Sequence, residues 1–191
     1  MTRPPHLAVA WATLLLAGCG QPLGTYSVEA VTVAEHVPLP ADTVSAYGRF
    51  LEIRLASRTS LTALAEGVDG VYVDADFCPL TGGDGLIAFG PFGVQGEDLG
   101  VPSAAPALRP GADGRFHYRV YVPVAHRARL ATKPGQSKRP TYDLRGTERD
   151  LCLRLFAPGY DLITSRSETI RVPADMVAPA LREAAGGSSP S

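Results

Sequence analysis

Apolar and polar residues alternate in short runs along this chain, and a period of two predicts strands. Leu51, Ile53 and Leu55 fall on one side of residues 49–55, with Glu52 and Arg54 on the other. Residues 71–77 repeat the pattern, and within residues 115–124 Phe116, Tyr118, Val120 and Val122 share a side. Leu151, Leu153 and Leu155 align opposite Cys152 and Arg154, and Ile170 and Val172 align within residues 168–172. The Val- and Thr-rich residues 25–33 and the short apolar run 85–89 complete the set. Turns rich in Gly, Pro and Asp separate the runs, with Gly-Gly-Asp-Gly at 82–85 and Gly-Ala-Asp-Gly at 111–114. One-sided alternation belongs to antiparallel sheets, and an apolar sheet face needs a second sheet to cover it. The predicted fold class is therefore all-β: an antiparallel β-sandwich of about seven strands, an immunoglobulin-like or transthyretin-like Greek key, with short helical turns.

Two helical pieces interrupt this pattern. Ser60 is placed to cap residues 61–66, with Gly67 to end them. Residues 177–185 read as a short helix stopped by Gly186, with Pro179 limiting its start to that neighbourhood, and residues 186–191 read as a disordered tail. Residues 95–110 and 133–140 are predicted as loops. In Phe89-Gly90-Pro91-Phe92-Gly93, two phenylalanines bracket a Gly-Pro turn. Core capping is preferred for them over an apolar loop offered to a ligand.

The amino terminus follows a different rule. Arg3 and His6 precede an apolar run from Leu7 to Ala17, and small residues lead to Cys19. That order reads as a secretory signal, and the run is shorter than the roughly 20 residues that cross a bilayer. Leu16-Ala17-Gly18-Cys19 resembles the lipobox of bacterial lipoproteins. The resemblance implies cleavage before Cys19 and acylation of its thiol and new amino group. An uncut interfacial anchor or an ordinary amino-terminal helix is the plainer alternative. Gln21 stands second after the cysteine, where lipoproteins kept at the inner membrane carry Asp, so the resemblance implies the outer membrane, facing the periplasm. The expected division is a signal peptide over 1–18, a lipidated tether over 19–24, a sandwich domain over 25–175, and a short helix with tail over 176–191.

With Cys19 assigned to lipid, Cys78 and Cys152 remain, an even pair in an oxidising compartment. A disulfide is expected over two free thiols, and no further ligands cluster with them to suggest a metal. Strand alternation places Cys78 with Tyr72, Asp74 and Asp76, and Cys152 with Arg154. The bridge is therefore expected on a sheet's outer face or at a strand end, unless a bulge before Pro79 reverses the face.

The net charge of −1 hides an asymmetry. Residues 59–108 carry seven acids and no Lys or Arg, whereas residues 109–149 carry ten Lys and Arg against three acids. Two segments that face each other and neutralise locally are preferred over a basic loop, 127–149, that meets anionic headgroups or an acidic partner. No nucleic-acid partner and no cofactor are expected. Hydrophobic residues make up 45% of the chain and charged residues 19%, enough apolar surface to build a packed core.

Two stretches resemble carboxypeptidase-regulatory-like domains, which have a transthyretin-like sandwich. The first is Gly70-Val71-Tyr72-Val73-Asp74-Ala75 with Pro79-Leu80 and Gly82 following. The second joins Ala112-Asp113-Gly114-Arg115-Phe116 to Leu153-Arg154-Leu155-Phe156-Ala157-Pro158-Gly159-Tyr160. Together they span residues 70–172. Phe77 and Cys78 stand where the family has turn residues, a long insertion separates Phe116 from Leu153, and residues 25–56 have no counterpart. The resemblance implies a binding or structural add-on, with no catalytic residues to carry over.

The sequence holds no Gly-x-Ser-x-Gly, His-Glu-x-x-His, Cys-x-x-Cys or phosphate-binding glycine loop. After cleavage the histidines would be His36, His117 and His126, and His117 is expected at the surface of its strand. Asp74 and Asp76 alternate onto one side, and Asp84 in the next turn would give a calcium reading. Relief of their repulsion by solvent, Arg154 or Arg119 is preferred. The expected function is a non-catalytic, lipid-anchored envelope protein acting as a binding or assembly module, attached to the membrane through Cys19 and open to an envelope protein partner. The alternative is a small-ligand carrier or envelope hydrolase with a pocket between the sheets. Oligomeric state is left open.

Overall fold

A computed structural model describes residues 22–39, 47–64, 70–81, 85–100, 108–127, 141–158 and 164–186. Among them the chain is mostly strand: β1 (Ser27–Ala34), β2 (Phe50–Ser57), β3 (Tyr72–Phe77), β4 (Phe89–Gly93), β5 (Phe116–Pro123), β6 (Ala125–His126), β7 (Tyr142–Asp143), β8 (Leu151–Pro158), β9 (Thr164–Arg166) and β10 (Ile170–Val172). Two helices accompany them, α1 (Leu61–Leu64) and α2 (Ala174–Gly186). All described pairings are antiparallel. One sheet runs β1-β2-β5-β4 and a second runs β10-β8-β3, with β9 also on β8 and a separate pair β6-β7.

The alternating residues build one core from both sheets. Leu51, Ile53 and Leu55 of β2 and Val120 and Val122 of β5 join Leu151, Leu153 and Leu155 of β8 and Val172 of β10, all at 0% exposure. Each such side chain contributes roughly 1.5–3 kcal/mol by leaving water. Helix α2 adds Val177, Ala180 and Leu181, spaced for one helical face, and packs mainly along β1. A smaller cluster of Phe50, Phe92 and Tyr121 forms apart from this core, joined by partly buried Tyr47 and Phe89. Phe50 precedes Leu51 on β2, so alternation turns it to the opposite face. The expected aromatic capping is therefore real for Phe92, but it closes this second cluster rather than the shared core.

Several elements depart from expectation. The apolar run 85–89 is not itself a strand: Leu86 makes an isolated bridge to Ala75, and β4 begins only at Phe89. The backbone at Gly85 passes so close to β3 that an added Cβ would lie 2.4 Å from the Ala75 carbonyl oxygen. Helix α2 begins at Ala174 and holds Pro179 inside, so Pro179 does not set its start. The start is set from a distance, because Asp150 Oδ1 accepts the Ala174 N–H at 2.8 Å. Helix α1 does begin after Ser60, whose Oγ lies 3.4 Å from the Ala63 nitrogen, while Gly67 lies outside the described residues. Tyr118 pins the same start: its hydroxyl donates to the Thr59 carbonyl at 2.8 Å and accepts the Leu61 N–H at 2.9 Å. Burial pushes this phenol up to about 12.

The two charged segments do not neutralise each other through ion pairs among the described residues. Arg115 and His117 pair with Glu29, Arg145 with Asp143, and Arg171 with Asp150. The strand order accounts for part of this: β5 lies between β2 and β4, and β4, which comes from the acidic segment, carries no acid of its own.

Candidate functional site

The outer face of the first sheet gathers Glu29, Asp113, Arg115 and His117 from three places. His117 lies on β5 opposite Ala56 of β2, and Ser27 of β1 lies opposite that same alanine. A methyl group in the middle strand leaves side chains of β1 and β5 free to meet across it. The β1–β2 register shifts between Val28 and Ala30, so Glu29 is the extra residue of a bulge. Bulges re-aim a side chain; Glu29 Oε2 lies 2.9 Å from His117 Nδ1. Asp113 sits in the turn before β5, where its Oδ1 accepts the Arg115 N–H at 3.1 Å and lies 3.2 Å from His117 Nε2. Arg115 donates to Glu29 Oε1 at 3.3 Å and to the Ser27 hydroxyl.

The imidazole thus has a carboxylate at each ring nitrogen. Glu29 first and Asp113 second hold its pKa above the ordinary histidine value. The Arg115 N–H, followed by His117, holds the Asp113 carboxyl below the usual range. The side chains of Glu29 and His117 are about a third exposed, at 31% and 30%. The Ser27 hydroxyl is bonded to a guanidinium, which cannot take its proton, so it is not an activated nucleophile. The cluster can hold a proton or a cation.

A second feature lies on the outer face of the second sheet. The Sγ atoms of Cys78 and Cys152 are at bonding distance, 2.05 Å, with their Cα atoms 5.0 Å apart. The Cys78 N–H donates to the Asp150 carbonyl at 3.0 Å, which sets the end of β3 against the start of β8. Cys152 points away from Leu151 and Leu153, as alternation requires. The bridge therefore lies at a strand end on the outer face, where it lines an open concavity of about 550 Å³ with Pro79, Leu80, Arg154 and Arg171.

Of the acids in the calcium reading, Asp74 and Asp76 both lie on β3. Asp74 stands opposite Arg154 in the β3–β8 register, and Arg154 itself donates to Thr169 at 3.1 Å. Asp76 is engaged locally, accepting the Phe77 N–H at 2.7 Å and the Thr81 hydroxyl at 2.8 Å. Arg119 belongs to the other sheet, opposite Arg54, and does not serve this pair. Asp84 and Cys19 lie outside the described residues. Sequence reasoning missed the His117 cluster as a site. Asp113 was within reach as an Asx turn four residues before an outward histidine, but Glu29 needed the bulge and the strand order.

No protein-family model, no curated protein and no solved structure matches this chain.

Proposed function

We propose that this protein is a non-catalytic, lipid-anchored binding or assembly module of the bacterial envelope, exported under its amino-terminal signal and tethered through Cys19. The observation that carries the reading is the cysteine pair. Once Cys19 is set aside, the other two cysteines, 74 residues apart in sequence, stand at bonding distance. A structural disulfide persists in oxidising compartments and is rare in the cytosol, so the pair supports the same compartment as the lipobox-like sequence. The two sheets are read as the layers of a Greek-key sandwich, because one core draws on both.

A carrier would hold its ligand in a cavity between the sheets. The open concavity beside the disulfide lies on the outer face of the second sheet, a surface that a partner can reach. The outer-membrane, periplasm-facing location follows from Gln21 under the same resemblance.

Mass spectrometry of the amino-terminal peptide, from full-length protein expressed with and without globomycin, tests the reading. The expected product begins at Cys19 and carries acyl mass, and globomycin leaves the uncut precursor. A membrane-bound protein that begins at Met1, or at an unmodified residue, overturns the tether.

A further inference from the structure

We propose that Glu29, Asp113 and His117 form a surface site for a divalent transition-metal ion, with Zn²⁺ as the best fit. One imidazole nitrogen and two carboxylate oxygens, one from each residue, lie within 4.8 Å of one another. An imidazole changes what the cluster selects. Carboxylates alone suit Ca²⁺ and Mg²⁺, whereas a mixed nitrogen and oxygen set suits Zn²⁺ and its neighbours.

The three ligands come from three separate places in the fold. A bulge aims Glu29, strand β5 aims His117, and an Asx turn holds Asp113. His117 Nδ1 and Glu29 Oε2 are hydrogen-bonded at 2.9 Å, and replacing that proton by a tetrahedral ion with bonds of about 2.0–2.2 Å needs the two atoms to part by only about half an ångström. Asp113 then needs a side-chain rotation to leave Nε2 and join them. Gly111 packs against the present arrangement: an added Cβ there would sit 3.0 Å from Asp113 Oδ1 and 3.1 Å from His117 Nε2. Arg115 holds the other oxygen of Glu29 and orients that carboxylate from behind. The solvent side is open, so water completes the coordination. The site stands apart from the export reading and would survive its failure.

The test uses full-length protein in detergent, stripped with EDTA and dialysed. Zn²⁺ is titrated by calorimetry, with Ca²⁺ as the comparison ion, and imidazole nitrogens are followed by ¹⁵N NMR. One Zn²⁺ is expected per chain, with the His117 resonances moving and those of the other histidines, His6 included where the chain is uncut, staying in place. His117→Ala and Glu29→Gln are each expected to weaken binding by at least about tenfold, while Asp74→Asn leaves it unchanged. All three positions are at the surface, and circular dichroism of the metal-free variants verifies folding. No Zn²⁺ heat, undiminished affinity in His117→Ala, or Ca²⁺ binding as tight as Zn²⁺ would each overturn the proposal.

Discussion

Asp150 joins three parts of the chain through one residue. Its Oδ1 accepts the Ala174 N–H at 2.8 Å, its Oδ2 accepts Arg171 Nε at 2.6 Å, and its carbonyl accepts the Cys78 N–H at 3.0 Å. The Ala174 N–H, followed by Arg171, holds its carboxyl below the ordinary aspartate range. A depressed folded value means that the unfolded chain binds the proton more readily. The stabilisation is therefore complete above the unfolded value of about 3.9 and is lost as pH falls through the folded value. Asp150→Asn should lower the melting temperature near neutral pH, with the deficit closing as acid protonates the parent carboxyl. Thermal unfolding at stepped pH measures both limbs, and a deficit that persists unchanged in strong acid would show that the carboxylate charge is not the cause. At this scale sequence legibility is uneven. The Ser60 cap needs only its neighbours, but nothing local ties Asp150 to a helix 24 residues away.

Among elements, the strands that carry alternation or a Val- and Thr-rich run were legible, β1 and β10 among them, and the shortest ones were not. Strands β2, β3, β5 and β8 each present one apolar side to a core, and the periodicity of two survives in the residues themselves. Strands β6, β7 and β9 span two or three residues, too few for any period, and exist because a partner strand lies beside them. The apolar run 85–89 misled because its hydrophobicity serves a single close bridge rather than a ladder. The disulfide is the strongest link between elements, closing a separation of 74 residues between β3 and β8. Chain entropy sets its ceiling at about 4–5 kcal/mol, and a native bridge typically contributes ~2–5 kcal/mol. The double variant Cys78→Ser with Cys152→Ser should lose that amount in denaturant unfolding, and reductant should destabilise the parent while leaving the variant unmoved.

The whole molecule depends on one core fed by both sheets. If that core couples them, damage to either sheet lowers a single common transition. Ile53→Ala in β2 and Leu153→Ala in β8, both at 0% exposure, should each cost about 2–5 kcal/mol. Far-ultraviolet and near-ultraviolet signals should melt together in both variants. Two separated transitions in Leu153→Ala would mean that the second sheet unfolds alone.

Composition and alternation by themselves determined an antiparallel all-β chain, the core leucines and valines of β2, β5 and β8, and the faces of its two bridged cysteines. Those properties are local, since a strand's faces follow from neighbouring residues. Only the tertiary structure decided the His117 cluster, the remote cap of α2 and the second aromatic cluster. Each joins residues distant in sequence, and strand order, register and one bulge settle which of them meet.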